Sequence, residues 1–238
     1  LGWSVFTIAL VTFGLTVEPT ASFWDASEYI ATSAKLQVGH PPGAPFYQMM
    51  GAFFSLFASG PEQIALLVNL MSVFSSAFTI LFLFWTLTLL LKKLPAFNTL
   101  ETTNDALAFF GSAVIGALAF CFSDSFWFNA VEAEVYAMAT CILSLLFWLS
   151  LRWEQEMNTP RGDRWLLLIA FVIGLSFGVH FMGLLTIPAM GMIYYFKNNK
   201  YSRLGALKAF VVSSVILIVI QGVFIPKTAS LMGYFDRI

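Results

Sequence analysis

Residues 63–91, from Gln63 to Leu91, carry no charged side chain. A helix of that length would reach about 43 Å at 1.5 Å per residue, more than the roughly 30 Å of a bilayer's hydrocarbon layer. In lipid, every backbone N–H and C=O must be satisfied within the protein, so spanning segments are helices or closed barrels. The run is continuously apolar and does not alternate, which selects a helix. Composition points the same way. Of 238 residues, 59% are hydrophobic and 11% charged, where soluble domains carry about 25% charged. The net charge of −1 gives no bulk attraction to nucleic acid, and no nucleic-acid partner is expected. Cys121 and Cys141 lie inside apolar runs and read as small core residues.

Further apolar runs occupy residues 2–17, 106–122, 133–151, 164–180, 182–196 and 205–225. With 63–91 they predict an all-α, polytopic membrane protein of about seven transmembrane helices in one transmembrane domain, residues 1–238. The first run lacks a cleavage signature and reads as a membrane helix. The start at Leu1 and the stop after a hydrophobic run read as the N-terminal membrane half of a longer protein. Pro188 predicts a kink or tilt in the sixth span, and Gly174, Gly178 and Gly183 predict close helix packing. Lys92, Lys93, Arg152, Arg161, Arg164, Lys197, Lys200, Arg203 and Lys208 fall on one side of the seven-span arrangement. Only Lys35, Lys227 and Arg237 fall on the other. Basic residues concentrate in cytoplasmic loops, so the N-terminus is expected inside. Glu18, Asp25, Glu28, His40, Glu62, Asp124, Glu132, Glu134, His180 and Asp236 then all lie at or near the outer face. Ionisable groups gathered at one membrane face point to a functional site, although outer loops also simply hold polar residues.

Residues 18–60 form a first outer loop too long for a plain connector. Ser22 and Asp25 fit an S-x-x-D helix start, and Phe23, Ala26, Ile30, Ala34 and Val38 recur at helical spacing. A surface helix over about 23–37 is predicted. Asp25 and Glu28 share one face of it. Asp25 is either a cap for free N–H groups or a general base that reaches a substrate hydroxyl. Trp24 and Tyr29 read as interfacial anchors. Gly39-His40-Pro41-Pro42-Gly43-Ala44-Pro45 stiffens the backbone around His40, and Pro45 opens a predicted helix over about 45–58.

A second acid pair opens the fourth span. Asn129 and Glu132 fit a capping box, while Glu134 lies about a turn into the helix, where a carboxylate needs a partner. Lys35, His40 and His180 are the candidate partners. His180, at the turn between spans five and six, is either a solvated turn residue or a contact to an anionic headgroup or metal ion. Two histidines among acids make a divalent metal a candidate cofactor, but no H-x-x-x-H spacing defines its ligands. No Walker A, G-x-S-x-G, H-E-x-x-H or C-x-x-C motif occurs.

The stretch FWDASEYIATSAKLQVGHPPGAPFYQMMGAFFSLF, followed in order by NAVEAEVYAM and GVHFMGLLTIP, resembles a bacterial family of protein O-mannosyltransferase-like membrane enzymes, formerly a domain of unknown function. One departure is Ser27, where the family pattern often has glycine before the glutamate. The resemblance implies a GT-C superfamily glycosyltransferase and an active site on the periplasmic side of the bacterial inner membrane. It implies transfer of a sugar, mannose by expectation, from a polyprenyl-phosphate carrier to a Ser or Thr hydroxyl of a protein acceptor. It puts Asp25 in the place of the essential acid of the first outer loop, with Glu28 orienting it or sharing its role. Glu132 or Glu134 takes the place of the second acid, and Lys35, His40 and His180 become candidates for the carrier phosphate. The competing readings are a transporter or channel that uses the outer acids, and a non-catalytic membrane subunit.

Overall fold

The computed structural model describes residues 1–97 and 99–235. Asp236 and Arg237, placed on the outer side by the sequence pattern, lie outside the described residues. Among the described residues all regular structure is helical: α1 (Gly2–Leu15), α2 (Ala26–Lys35), α3 (Pro45–Ser55), α4 (Ile64–Leu91), α5 (Thr103–Cys121), α6 (Asp124–Ala130), α7 (Val135–Glu156), α8 (Gly162–Ser176), α9 (Thr186–Asn198), α10 (Arg203–Val219) and α11 (Ile225–Phe235). A π turn joins the last two, so Arg203–Phe235 is one continuous helix.

Among the described residues, four helices are long and apolar enough to cross a membrane: Pro61–Leu91, Thr103–Cys121, Val135–Glu156 and Arg203–Phe235. Helices also occupy the other three predicted spans. At 14, 15 and 13 residues, α1, α8 and α9 are shorter than a full crossing needs. The predicted fifth span ends four residues early, because Phe177–His180 turns away. The sixth begins as a short 3-10 segment, Phe181–Leu185. Pro188 therefore sits in the first turn of α9, where its missing N–H is an orphan in any case, and it does not interrupt the helix.

The helix α4 is the axis of the fold. It packs against α1, α5 and α7 and joins two buried clusters. One cluster holds Val5, Ala9 and Phe13 of α1 with Ala113, Ala117 and Cys121 of α5. Both sets recur every four residues, and the small side chains bring backbones close, the packing expected where lipid removes the hydrophobic drive between helices. The other cluster joins α2, α3 and the first turns of α4 to α7 and α8. On α8 and α10 the large apolar residues Leu167, Phe171, Val212 and Ile218 point outward. Two of the three glycines read as packing positions behave so. A Cβ on Gly178 would meet Phe46, and one on Gly183 would meet Ser176 at 2.5 Å, whereas Gly174 faces open space. Both cysteines are free.

Charge sorts along the bundle. The Lys93–Glu154 ion pair ties the C-terminal ends of α4 and α7 together. Asp25, Glu28, Glu132, Glu134 and both histidines gather at the opposite end.

Candidate active site

The approach to the site is a tethered, non-helical strand. Glu18 N–H donates to Val131 O at 3.0 Å. The fully buried Asn69 of α4 donates through Nδ2 to Glu18 O at 2.6 Å and Thr20 O at 2.9 Å. Ser22 Oγ donates to Glu132 Oε2 at 2.6 Å. Ser22 thus serves as a clasp across the fold and not as the helix cap its S-x-x-D context suggests. Trp24 follows with φ 59°, a left-handed conformation uncommon for a large side chain, and Asp25 occupies the N-cap position of α2. The Asp25 side chain makes no capping hydrogen bond. Of the two sequence readings of Asp25, the hydrogen-bonded cap does not form, and a half-exposed carboxylate is left at the head of the helix.

Glu28, one turn on, is fully engaged. It accepts the His40 backbone N–H at 2.6 Å and faces His40 Nδ1 at 3.1 Å. These contacts lower its pKa, the backbone bond foremost, and the contact to Glu28 in turn raises that of His40. An ionised carboxylate only accepts, so Nδ1 carries the proton and Nε2 is the bare nitrogen of the neutral ring. Nε2 lies 3.8 Å from Asp25 Oδ2, beyond a direct hydrogen bond but spanned by one shared atom. The rigid corner is closed by Gly43 N–H donating to His40 O at 2.9 Å, with Gly43 at φ 80°. Gly39 lies so close that a Cβ would stand 3.1 Å from Glu28 Oε1. Glu28 therefore positions His40 and does not itself line the cleft.

The second acid pair departs from its predicted geometry. The short helix α6 intervenes, Asn129 bonds within it to Ser125 O, and the Asn129–Glu132 capping box does not form. Glu134 is not inside a helix; it is the extended residue preceding α7, and it also makes no capping bond. Both acids are buried. Burial raises the Glu132 pKa against the Ser22 bond. Burial, then the charges of Asp25 and Glu132, push Glu134 up to about 7.

His180 is fixed by the α3 entrance. Gly178 O accepts the N–H groups of Phe46 and Tyr47 at 2.7 and 3.1 Å, and His180 Nδ1 accepts Met182 N–H at 3.2 Å. The neutral ring then carries its proton on Nε2, opposite to His40.

Asp25, His40, Glu134 and His180 line one cleft of about 180 Å³. Asp25, Glu132, Glu134 and Tyr136 line an adjoining one of about 300 Å³. Lys35 ends α2, away from Asp25, and lines neither cleft. The histidines are thus the cation-forming side chains of the pair of clefts. Three contributors carry no site reading in the sequence, where Tyr29 reads as an interfacial anchor. Tyr29 packs 5.9 Å from His40 and, with burial pushing its pKa up to about 12, keeps its O–H proton. Tyr136 packs 5.6 Å from His180. Asn69 looked like one more polar residue in a span; a buried amide in an uncharged run was the available signal. Asp25, Glu28 and His40 each offer a ligand atom within 4.8 Å of the others, a donor set that could hold a cation.

A family model described as "Protein O-mannosyl-transferase TMEM260 N-terminal domain" matches residues 25–203. The chain is 24% identical over 162 residues to a Dictyostelium discoideum protein named protein O-mannosyl-transferase tmem260, covering 68% of this chain and 18% of that protein. It is 26% identical over 174 residues to the Mus musculus protein O-mannosyl-transferase TMEM260, covering 73% of this chain and 22% of that protein. The chain thus spans about a fifth of the length of these relatives. No solved structure matches it. Beginning at Asp25 itself and holding every lining residue of the two clefts except Trp24, the matched region shows that this membrane chain belongs to the family of the protein O-mannosyl-transferase TMEM260 N-terminal domain.

Proposed function

We propose that this chain is the catalytic membrane part of a GT-C-type glycosyltransferase that moves mannose from a polyprenyl-phosphate carrier to a Ser or Thr hydroxyl of a protein. The carrying observation is the uncapped Asp25 carboxylate at the mouth of a cleft shared with His40, Glu134 and His180, within a chain of this family. Asp25 takes the proton from the acceptor hydroxyl as its oxygen bonds to the anomeric carbon. The bond from that carbon to the carrier phosphate breaks, and the phosphate leaves with the electron pair. His180, donating through Nε2, and His40, when protonated, stabilise the charge that grows on it. Lys35 stands outside this arrangement. Glu134, with its pKa near 7, and Glu132 hold the acceptor side.

In the proposed topology α1, α4, α5, α7, α8, α9 and α10 cross as seven spans with the cleft outside, which in a bacterium is the periplasmic face of the inner membrane. A lateral groove of about 220 Å³ between α4, α5 and α7 supports a lipid donor. Its Thr140, Ser144 and Phe147 continue the α7 face that starts at Tyr136 in the cleft. The gathering of acids at one end counts against an ion path through the membrane, which places charges along its depth.

Full-length protein incubated with mannose on a polyprenyl phosphate and a Ser/Thr peptide should add one hexose by mass. Asp25→Asn should lower the rate by about 10²–10⁴-fold, the usual worth of a general base, with unchanged helical melting. Full activity in that variant removes Asp25 from its role. An EDTA arm tests the cation: loss restored by Mg²⁺ or Mn²⁺ assigns the Asp25–Glu28–His40 set to a metal, and unchanged turnover assigns it to proton transfer alone.

A further inference from the structure

The far end of the bundle from the cleft carries a second, unrelated feature. From Arg164 to Phe235 the sequence contains no aspartate or glutamate, while Lys197, Lys200, Arg203 and Lys208 crowd the connection between α9 and α10. All four are exposed, and none forms an ion pair among the described residues. Three acids at this end are engaged elsewhere: Glu154 holds Lys93, Glu156 holds Arg152 and Trp165 Nε1, and Asp105 completes the capping box of α5. Glu101 and Asp163 pair with none of the four.

Of these charges Lys208 lines a crevice of about 420 Å³ between α9 and α10, and Lys200 and Arg203 stand within two residues of its lining residues Asn199 and Gly205 in the chain. The crevice is rigidly shaped. The Tyr195 hydroxyl accepts Ser202 N–H at 3.0 Å and donates to Lys200 O at 3.2 Å, which pins the turn. Gly205 lets that hydroxyl sit against α10, and Gly191 lets α9 approach Ser213, where a Cβ would come within 2.6 Å. Lys208 and the outward-facing Val212 both line it. Beyond the crevice, α10 presents Val215 and Ile216 outward.

We propose that this crevice binds the headgroup of an anionic glycerophospholipid, with the phosphate diester held by Lys200, Arg203 and Lys208 and the acyl chains lying along α10. Charge complementarity selects an anion. The apolar outward face that continues from the crevice selects a lipid over a soluble anion or an acidic peptide, neither of which has a use for it. Basic crevices between membrane helices on the cytoplasmic side suit such headgroups, and the lysine-rich end is the cytoplasmic one in the topology above. The proposal does not depend on the transfer reaction.

The test uses the full-length protein in detergent, with phosphatidylglycerol or phosphatidylcholine added and retained lipids counted by native mass spectrometry. Wild type should retain phosphatidylglycerol preferentially. Lys208→Gln should weaken that binding about fivefold, and the Lys200→Gln/Arg203→Gln/Lys208→Gln variant should abolish the preference. Lys227→Gln, beyond the crevice, should keep it. Equal retention of the two lipids, or a preference that survives the triple variant, overturns the proposal. Displacement of the lipid by millimolar inorganic phosphate as readily as by soluble phosphatidylglycerol also overturns it, in favour of a free-anion site. Circular dichroism melting of each variant separates loss of binding from loss of fold, and the single variant suffices if the triple fails to fold.

Discussion

Glu134 and His40 pull stability in the same direction with pH. Burial first, then the charges of Asp25 and Glu132, raise Glu134 to about 7, so the folded protein binds its proton more tightly than the unfolded chain does. Its ionisation opposes the fold, absent below the ordinary glutamate range and complete above about pH 7. His40 is raised mainly by its bond to Glu28. Its contribution is whole below the ordinary histidine pKa and lost as pH climbs through the raised value. The folded protein should therefore lose stability from about pH 4.5 upward and level off once both groups have titrated. Glu134→Gln should flatten that decline and raise the melting temperature at pH 8, removing a cost on the order of 3 kcal/mol. A melting curve of Glu134→Gln that parallels wild type from pH 4.5 to 8 contradicts the burial argument. The sequence identified Glu134 as an acid needing a partner. It did not disclose that the residue stands just ahead of α7, because the start of that helix is set by α6 and by the Ser22–Glu132 clasp.

At the scale of elements, the site depends on how the segment between α1 and α2 is tied down. Asn69 supplies two hydrogen bonds to backbone carbonyls from inside α4. Asn69→Ala strands both acceptors, at about 1–3 kcal/mol each, and should lower the unfolding midpoint and sugar transfer together. Ser76, on the same helix, is buried with a hydroxyl that has no partner among the described residues, so Ser76→Ala should change little. Comparable losses in the two variants would show that helix packing, and not the tether, sets the cost. The surface helix over 23–37 was legible from its spacing and exists as Ala26–Lys35. Its capping was not legible, since Ser22 finds a distant acid in preference to the local N–H groups.

For the molecule as a whole, the ends of the bundle differ in charge type, and that difference fixes the proposed orientation. Ser59 lies exposed beside the start of α4, at the cleft end, and Lys200 lies exposed at the opposite end. Ser59→Cys should react with an impermeant maleimide on intact cells, and Lys200→Cys only after permeabilisation. The reverse pattern, or labelling of both from one side, defeats the orientation. The native Cys121 is buried and Cys141 lies within the α7 span, so background labelling should be low.

The sequence by itself determined that the chain is a helical membrane protein, because runs of uncharged residues longer than a bilayer is thick leave the backbone no other way to satisfy its hydrogen bonds. It also isolated Asp25, His40, Glu134 and His180, because charge is scarce enough here that each instance stands out. Only the tertiary structure decided which of them meet. Lys35 is as conspicuous in the sequence as Asp25, yet the length of α2 carries it away from the cleft. Glu28 reads as orienting Asp25 or sharing its role, and the fold turns both its oxygens to His40 where the loop returns. The bonds that anchor these loops, Ser22 to Glu132 and Asn69 to Glu18, join residues far apart in the chain, and no local spacing encodes where two loops come to rest against one helix.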